Sequence, residues 1–341
     1  MDEAEGREYY LDRDDRKYFL VANQFVRKYD FPRNVEINLL SYSENIVYLI
    51  KTGKRRYILR VNRPGYHDKA EVAAELHWLK MIEIDGRIPV PQIIATKNGQ
   101  LIQTVQMDQT GKSYDGVLFS FLPGQSLAHH INDLPKYFRQ LGQITALLHN
   151  YNTPANRFDE LERPTWDYDT MLGKRPQWGR WQDGRYINRE RKLLLMKAQE
   201  LIHDRLERMG KNRACYGLIH ADLRSTNLLV ESNVLKVIDF DDCGFGWFLY
   251  DLAASLSFIE HEPIVPELIS LWLTGYRTYR DLSKEEEHEI PTFIMLRRLL
   301  TLAWLASHSD TKTGQRIGER FTLQTVELAS SYLAQFARPL L

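Results

Sequence analysis

The chain has 341 residues, 43% of them hydrophobic and 26% charged, the balance of an ordinary globular protein long enough for two domains or one large two-part unit. Lys plus Arg equals Asp plus Glu at 45 each, so the whole-chain charge favours neither nucleic acid nor an anionic membrane as a partner. Two cysteines, Cys215 and Cys243, exclude a disulfide framework and show no metal-binding spacing, so buried thiols are expected. The acidic start Met1-Asp2-Glu3-Ala4-Glu5 lacks the pattern of a signal peptide, and no apolar run reads as long enough to span a bilayer. The expectation is a cytoplasmic protein without a membrane partner.

In chain order, Arg16 to Tyr29 reads as a short amphipathic helix, with Phe19, Leu20, Ala22, Phe25 and Val26 at helical spacing, stopped by Pro32. Val35 to Asn62 reads as strands, and Thr52-Gly53-Lys54 marks a hairpin between Asn45–Lys51 and Arg55–Asn62. Lys69 to Ile82 is helical by period, and Pro89 and Pro91 prevent its continuation. Gln100–Gln106 and Val117–Phe121 are further strands, and Leu122-Pro123-Gly124 is a turn.

The second half changes character. Asp133 is expected to cap a helix from Leu134 to Asn150. Thr153 to Lys192 is rich in Trp, Pro and Arg with weak periodicity. Long helices then dominate: Arg189–Met209, Pro266–Arg280, Ile290–Ser307 and Thr322–Phe336. A strand-rich first third thus precedes a mostly helical remainder. The division expected is an N-terminal helical extension over 1–34, a nucleotide-binding part over 35–121, and a catalytic, acceptor-binding part over 122–341. The join near Phe119 to Gly124 is where a cleft would form.

The most informative stretch is Leu218-Ile219-His220-Ala221-Asp222-Leu223-Arg224-Ser225-Thr226-Asn227, followed by Val237-Ile238-Asp239-Phe240-Asp241-Asp242. Two short β-rich runs, Asn227–Glu231 and Val234–Phe240, flank a Ser232-Asn233 turn. An antiparallel hairpin centred there sets Asn227 almost opposite Asp239, with Asp222 just before its open end. One carboxamide and two or more carboxylates then gather, a donor set suited to a hard cation such as Mg²⁺. A separate carboxylate can accept a proton from a substrate hydroxyl. Phosphoryl transfer uses this division of labour.

The His-x-Asp-x-x-x-x-Asn and Ile-Asp-Phe motifs resemble the catalytic and metal-binding loops of protein kinases. They look still more like those of the aminoglycoside phosphotransferase and choline kinase superfamily, in the branch that holds type II homoserine kinases and the bacterial stress-response Ser/Thr kinase. Leu59-Arg60-Val61, Ala74-Glu75-Leu76-x-Trp78-Leu79, Phe121-Leu122-Pro123-Gly124 and Tyr250-Asp251-Leu252-Ala253 fall in the order that branch shows. The resemblance covers residues 35 to 338. It implies an α+β, protein-kinase-like two-lobed fold with a small β-rich lobe and a large helical lobe, using ATP and Mg²⁺. By it Asp222 is the catalytic base, Asn227 and Asp239 ligate Mg²⁺, His220 braces the loop, and Arg224 stands where protein kinases carry a Lys on the transferred phosphate. Asp241 and Asp242 are either family acids beside the metal or a solvated acidic turn. Asp251 either caps a helix from Leu252 to Ile259 or holds the catalytic-loop backbone from below.

On the nucleotide side, Arg60 stands where kinases have a phosphate-binding Lys, and the hairpin sets it near Asn45 and Ile46. Its acidic partner is expected to be Glu75, with Glu71 one turn away as the alternative. Ser43 departs from a common Gly in the phosphate loop and cannot so easily take positive φ. Adenine would meet backbone groups from Ser120 to Leu122 over an apolar floor of Leu229 and Ile238. The Thr153–Lys192 segment, with Trp166, Trp178, Trp181 and the basic residues Lys174, Arg175, Arg180, Arg185, Arg189 and Arg191, reads either as an acceptor-binding surface or as a solvated Arg-rich face anchored by tryptophans. His149 reads as a packed residue. The acceptor expected is a small hydroxylated molecule, with a protein Ser/Thr acceptor and a catalytically idle nucleotide-binding scaffold as rivals. Only eleven residues, Phe240 to Tyr250, separate Asp239 from Asp251, too few for an activation-loop platform.

Overall fold

The computed structural model describes residues 15–32, 34–42, 44–106, 111–156, 158–308 and 312–337. They form helices α1 (Asp15–Val26), α2 (Lys69–Asp85), α3 (Leu134–His149), α4 (Tyr168–Met171), α5 (Arg189–Met209), α6 (Leu249–Ser255), α7 (Val265–Tyr276), α8 (Lys284–His288), α9 (Ile290–Ser307) and α10 (Lys312–Ala337). The strands are β1 (Glu36–Tyr42), β2 (Asn45–Thr52), β3 (Arg55–Asn62), β4 (Ile93–Ile94), β5 (Ile102–Gln106), β6 (Ser113–Ser120), β7 (Gln125–Ser126), β8 (Thr165–Trp166), β9 (Tyr216–Ile219), β10 (Leu228–Glu231), β11 (Val234–Val237) and β12 (Gly244–Trp247). They fall into two compact units. The first holds the chain to Gln125 together with Leu229–Asp241, and the second holds Ser126–Leu228 and Asp242 onward. The fold is α+β, a β-rich N-terminal part before a larger helical part.

In the first unit an antiparallel sheet runs β1-β2-β3-β6-β4, with β5 also on β6. The β2–β3 hairpin closes as Thr52 pairs with Arg55, and Gly53 takes φ +58°, the left-handed geometry a two-residue hairpin loop demands. Its register pairs Arg60 with Val47 and Asn45 with Asn62, so the expected Arg60–Asn45/Ile46 opposition is out by one to two residues. A hairpin centred on a two-residue loop, not a three-residue one, makes that shift. Helix α1 lays Val21, Ala22 and Phe25 on Ile46, Ile50, Leu59, Val61 and Leu118 of the sheet. The Phe25 ring fits because position 116 is Gly: a Cβ there would stand 2.8 Å from Phe25 Cε1.

Helix α2 begins with a capping box, Asp68 accepting the Glu71 N–H and Glu71 accepting the Asp68 N–H, and stops at Gly86 in the left-handed conformation (φ +71°). The prolines at 89 and 91 lie beyond this stop. The β10–β11 hairpin turns at Ser232 (φ +49°) and Asn233 (φ +65°), where the sequence puts the turn. Asp239, just past β11, is also left-handed, at φ +65°.

In the second unit α3 crosses α7 at close range. A Cβ on Gly142 would collide with the Trp272 carbonyl, and one on Gly275 with the Arg139 carbonyl, so two glycines set the approach. Asp133 stands at the α3 N-cap but makes no side-chain cap bond; Pro135 in the first turn fixes the helix start instead. A small sheet, β8-β12-β9, lies beside these helices. Helix α6 starts at Leu249, so Asp251 lies inside its first turn and does not cap a helix at Leu252.

Helix α9 is, among the described residues, the one helix long and apolar enough to cross a membrane, which corrects the sequence expectation. It is instead a core element, 78% of it buried, flanked by α5, α6 and α10. Its two arginines point inward: Arg298 is fully buried and ion-paired to Glu260 at 2.6 Å, while Arg297 reaches Asp222 in the loop after β9.

Candidate active site

In the first unit, Arg60 of β3 is 5% exposed and Glu75 of α2 is 1% exposed. The guanidinium donates twice to that carboxylate, Nη1 to Oε1 at 2.8 Å and Nη2 to Oε2 at 2.6 Å, the parallel fork geometry that Arg makes best. Glu71 is occupied elsewhere, in the α2 capping box and at 3.1 Å from His67 Nδ1. Arg60 is therefore a buried cation, not an exposed strand residue. Burial alone would lower its pKa; the charges of Glu75, Asp241 and Asp239 outweigh burial and hold it above its ordinary value.

Asp241 joins this cluster. Its Oδ1 lies 3.2 Å from Arg60 Nη1, and its Oδ2 accepts from Asn45 Nδ2 at 2.6 Å. A solvated acidic turn is thereby excluded for Asp241, which is 5% exposed. His67 Nε2 lies 3.8 Å from the same carboxylate. Neither Asp241's place beside Arg60 nor that of His67 follows from the motif spacing, because both depend on how α2 and the β11 end fold onto β3. Ser43 lies outside the described residues. Asp239 is exposed, on the left-handed residue after β11.

Ser120 anchors the end of β6 to Gln92, its N–H donating to the Gln92 carbonyl at 2.8 Å and its Oγ accepting the Gln92 N–H at 2.9 Å. Leu122, Leu229 and Ile238 are half-buried, apolar surface that the first unit leaves partly open. Below them Lys236 is 8% exposed and donates to the Pro123 carbonyl at 2.8 Å and to Glu231 at 2.7 Å, tying the Leu122–Gly124 turn to β11.

In the second unit, the loop after β9 carries His220, Asp222, Arg224 and Asn227. Asp222 is 6% exposed. Its Oδ2 accepts from Asn227 Nδ2 at 2.7 Å and lies 3.0 Å from Arg224 Nε. Its Oδ1 accepts from Arg297 Nη2 at 2.7 Å. Burial would raise its pKa, but Arg224 and Arg297, with a smaller part from His220, hold the carboxyl below the usual carboxylate range. Asn227 also donates to the Asp222 carbonyl at 2.9 Å, which leaves the oxygen of the same carboxamide as the atom a hard cation would take.

The loop is strained and pinned. Ala221 has φ +67°, costly for a residue with a Cβ. Asp251 holds it there, accepting the His220 N–H at 3.1 Å and the Ala221 N–H at 2.7 Å. His149 backs Asp251, its Nε2 3.0 Å from Asp251 Oδ2 and its Nδ1 2.9 Å from the Tyr276 hydroxyl. His149 thus does more than pack. His220 is fully buried, with Nδ1 3.3 Å from the Asp222 N–H.

The Thr153–Lys192 segment combines buried tryptophans with exposed basic residues. Trp166 and Trp181 are buried anchors, Trp166 Nε1 donating to the Asp242 carbonyl at 2.8 Å and Trp181 Nε1 to Gln199 at 2.8 Å. Lys174, Arg175, Arg180, Arg185 and Arg189 are exposed. Cys215 and Cys243 are both buried free thiols.

A forked Arg–Glu pair on a β-rich unit and an ion-paired Asp in a His-x-Asp-x-x-x-x-Asn loop define the class: an ATP-dependent phosphotransferase with a kinase-like fold. The chain belongs to the phosphotransferase enzyme family, whose model matches residues 38–287. A solved microcompartment-associated aminopropanol kinase is similar to it at 37% identity and a TM-score of 0.85, over 93% of this chain and 98% of that one. Amicoumacin kinase of Bacillus subtilis (strain 168) is 26% identical, covering 88% of this chain and 87% of its own length. Hydroxylysine kinase of Danio rerio is 22% identical, covering 81% of this chain and 80% of its own. The chain is a small-molecule kinase of the aminoglycoside phosphotransferase and choline kinase superfamily.

Proposed function

We propose that the protein transfers the γ-phosphoryl of MgATP to the hydroxyl of a small amine-bearing alcohol. The observation that carries this reading is Asp222, a buried carboxylate kept ionised by two arginines and oriented by Asn227. Such a group is ready to accept a hydrogen bond, and then a proton, from an incoming hydroxyl. Arg224, whose side chain is 41% exposed and lies 3.0 Å from Asp222, is the cation that would meet the transferred phosphate. His220 and Asp251 hold the loop that carries both.

Asn227 and Asp239 each offer the oxygen donors that Mg²⁺ takes, and the exposure of Asp239 supports its role as a ligand. When bound, that ion neutralises phosphate charge. Arg60, fixed by Glu75, supplies the cation for the α- and β-phosphates. Asn45 covers them, and the backbone from Ser120 to Leu122, over Leu229 and Ile238, receives adenine. Residues 35–121 are the nucleotide-binding part and 122–341 the catalytic and acceptor-binding part in this reading.

Two features support a small acceptor over a protein. The segment after Asp241 is short, and its strand β12 is already paired, antiparallel with β9 and parallel with β8, before α6 begins at Leu249. No length remains there for a peptide platform. An amine on the acceptor is supported by the 37%-identical aminopropanol kinase. It also agrees with the sequence likeness to type II homoserine kinases, since homoserine is itself an amine-bearing alcohol. The test is ADP release with a panel of amino alcohols, hydroxy amino acids, sugars and plain alcohols, beside labelled ATP with generic protein acceptors. Amino alcohols are expected to lead the panel. Label on protein Ser or Thr, with no metabolite turned over, would replace this reading with a protein kinase.

A further inference from the structure

Arg297 belongs to none of the kinase motifs. It sits mid-helix on α9, 75 residues after Asp222, in a run of apolar residues where a charge is expensive. It is 4% exposed, and every direction of its fork is occupied. Nη2 donates to Asp222 Oδ1 at 2.7 Å, Nη1 to the Tyr250 hydroxyl at 3.0 Å and to the Ala221 carbonyl at 3.4 Å, and Nε to Ser257 Oγ at 3.0 Å. One rigid planar group therefore ties together the proposed base, the carbonyl of the strained residue before it, and two residues from α6 and its C-terminal extension.

We infer that Arg297 is a positioning residue for Asp222: it fixes the carboxylate's rotamer so that Oδ2 faces the acceptor hydroxyl. The inference rests on the site reading given above. Asp222 has two oxygens, and the loop's own partners, Asn227 and Arg224, both approach Oδ2. Among the described residues Arg297 is the hydrogen-bond partner of Oδ1, and without it the carboxylate can turn about its Cβ–Cγ bond. Misplacing a reacting group by about an ångström can cost on the order of 10²-fold in rate. Lys in place of Arg offers a point charge without the fork, so it can meet Asp222 or Ala221 and Tyr250 but not all three at once. Tyr250 shares the job: its buried hydroxyl accepts from Nη1, the guanidinium nitrogen that does not bond Asp222.

The prediction is an asymmetric loss. Arg297→Met and Arg297→Lys should lower kcat by about 10- to 100-fold while leaving KM for ATP within about two-fold, since Arg297 touches no proposed nucleotide residue. A purely structural role would lower stability without this split. A double-mutant cycle with Asp222→Asn separates the two, using MgATP with 1-amino-2-propanol as acceptor and water as acceptor in parallel. If Arg297 acts through Asp222, adding Arg297→Met to Asp222→Asn causes no further loss of turnover. The double variant also removes both charges of the buried pair, so it escapes the unpaired-charge penalty of Arg297→Met alone. Thermal melts on all four proteins accompany the kinetics. Losses that multiply in the double variant, or a raised ATP KM in Arg297→Lys with kcat unchanged, would overturn the positioning role alone. Wild-type turnover in Asp222→Asn would overturn the site reading and this inference with it.

Discussion

The Asp251 carboxylate accepts the backbone N–H of Ala221 at 2.7 Å, and with it holds a non-glycine residue at φ +67° one position before the proposed base. Strain of this kind, about 1–3 kcal/mol, persists when surrounding contacts over-determine the conformation. Asp251→Ala should therefore relax the loop more than it unfolds the protein. We expect kcat to fall by about 10- to 100-fold with nucleotide binding nearly unchanged, read by steady-state kinetics beside calorimetric titration of ATP. Equal losses in kcat and in ATP affinity would mean that Asp251 supports the whole unit and not the loop.

His149 predicts a pH dependence of stability. Its burial, the largest influence, outweighs the Asp251 hydrogen bond and holds its pKa below the ordinary value. In the unfolded chain it titrates near 6.5, to within about a unit. As pH falls through that value the unfolded chain takes up a proton that the folded one refuses, so stability drops until the folded pKa is reached. His149→Gln removes the titration. The difference in Tm between wild type and variant should shrink as pH is lowered from 7.5 to 5.5; a constant difference would contradict a neutral buried His149.

Arg60 and Glu75 form a pair whose members are unequal in function. Arg60→Ala should raise the KM for ATP strongly, whereas Arg60→Lys should retain much activity, because either cation reaches phosphate. Glu75→Gln leaves Arg60 charged but without its fork partner, beside the Asp241 carboxylate at 3.2 Å. Breaking one side of a buried pair costs about 3–5 kcal/mol, so Glu75→Ala should also lower Tm markedly. Unchanged ATP kinetics in Arg60→Ala would remove it from the phosphate site.

The proposed Mg²⁺ ligands make a test by comparison of conditions. Asp239→Ala should abolish turnover and weaken ATP binding in Mg²⁺ while barely altering binding of metal-free nucleotide. Asn227→Ala should do the same more mildly and also disturb Asp222, its hydrogen-bond partner. Titration calorimetry with and without Mg²⁺ reads this directly, and equal weakening in both conditions would assign the residues a structural part.

Local patterns determined much of this protein in advance. The β2–β3 and β10–β11 turns were legible because Gly53 and the Ser232-Asn233 pair meet the dihedral demands of tight hairpins. Helices α5 and α9 were legible to the residue, since a 3.6-residue period over 18 or more positions leaves little ambiguity. The His220–Asn227 loop was legible by spacing. What only the tertiary structure decided are relations between residues far apart in the chain, for which sequence offers no ruler. Arg60 selects Glu75 over Glu71 because Glu71 is spent on the α2 capping box. Asp241 turns inward to Asn45 and Arg60, although an Asp-Asp turn reads as solvated. Arg297 looks, in sequence, like one of two interruptions in an apolar helix. It meets Asp222 because α9 packs against α6 and presents one face to the loop, and that packing is fixed by shape and buried area, not by any motif.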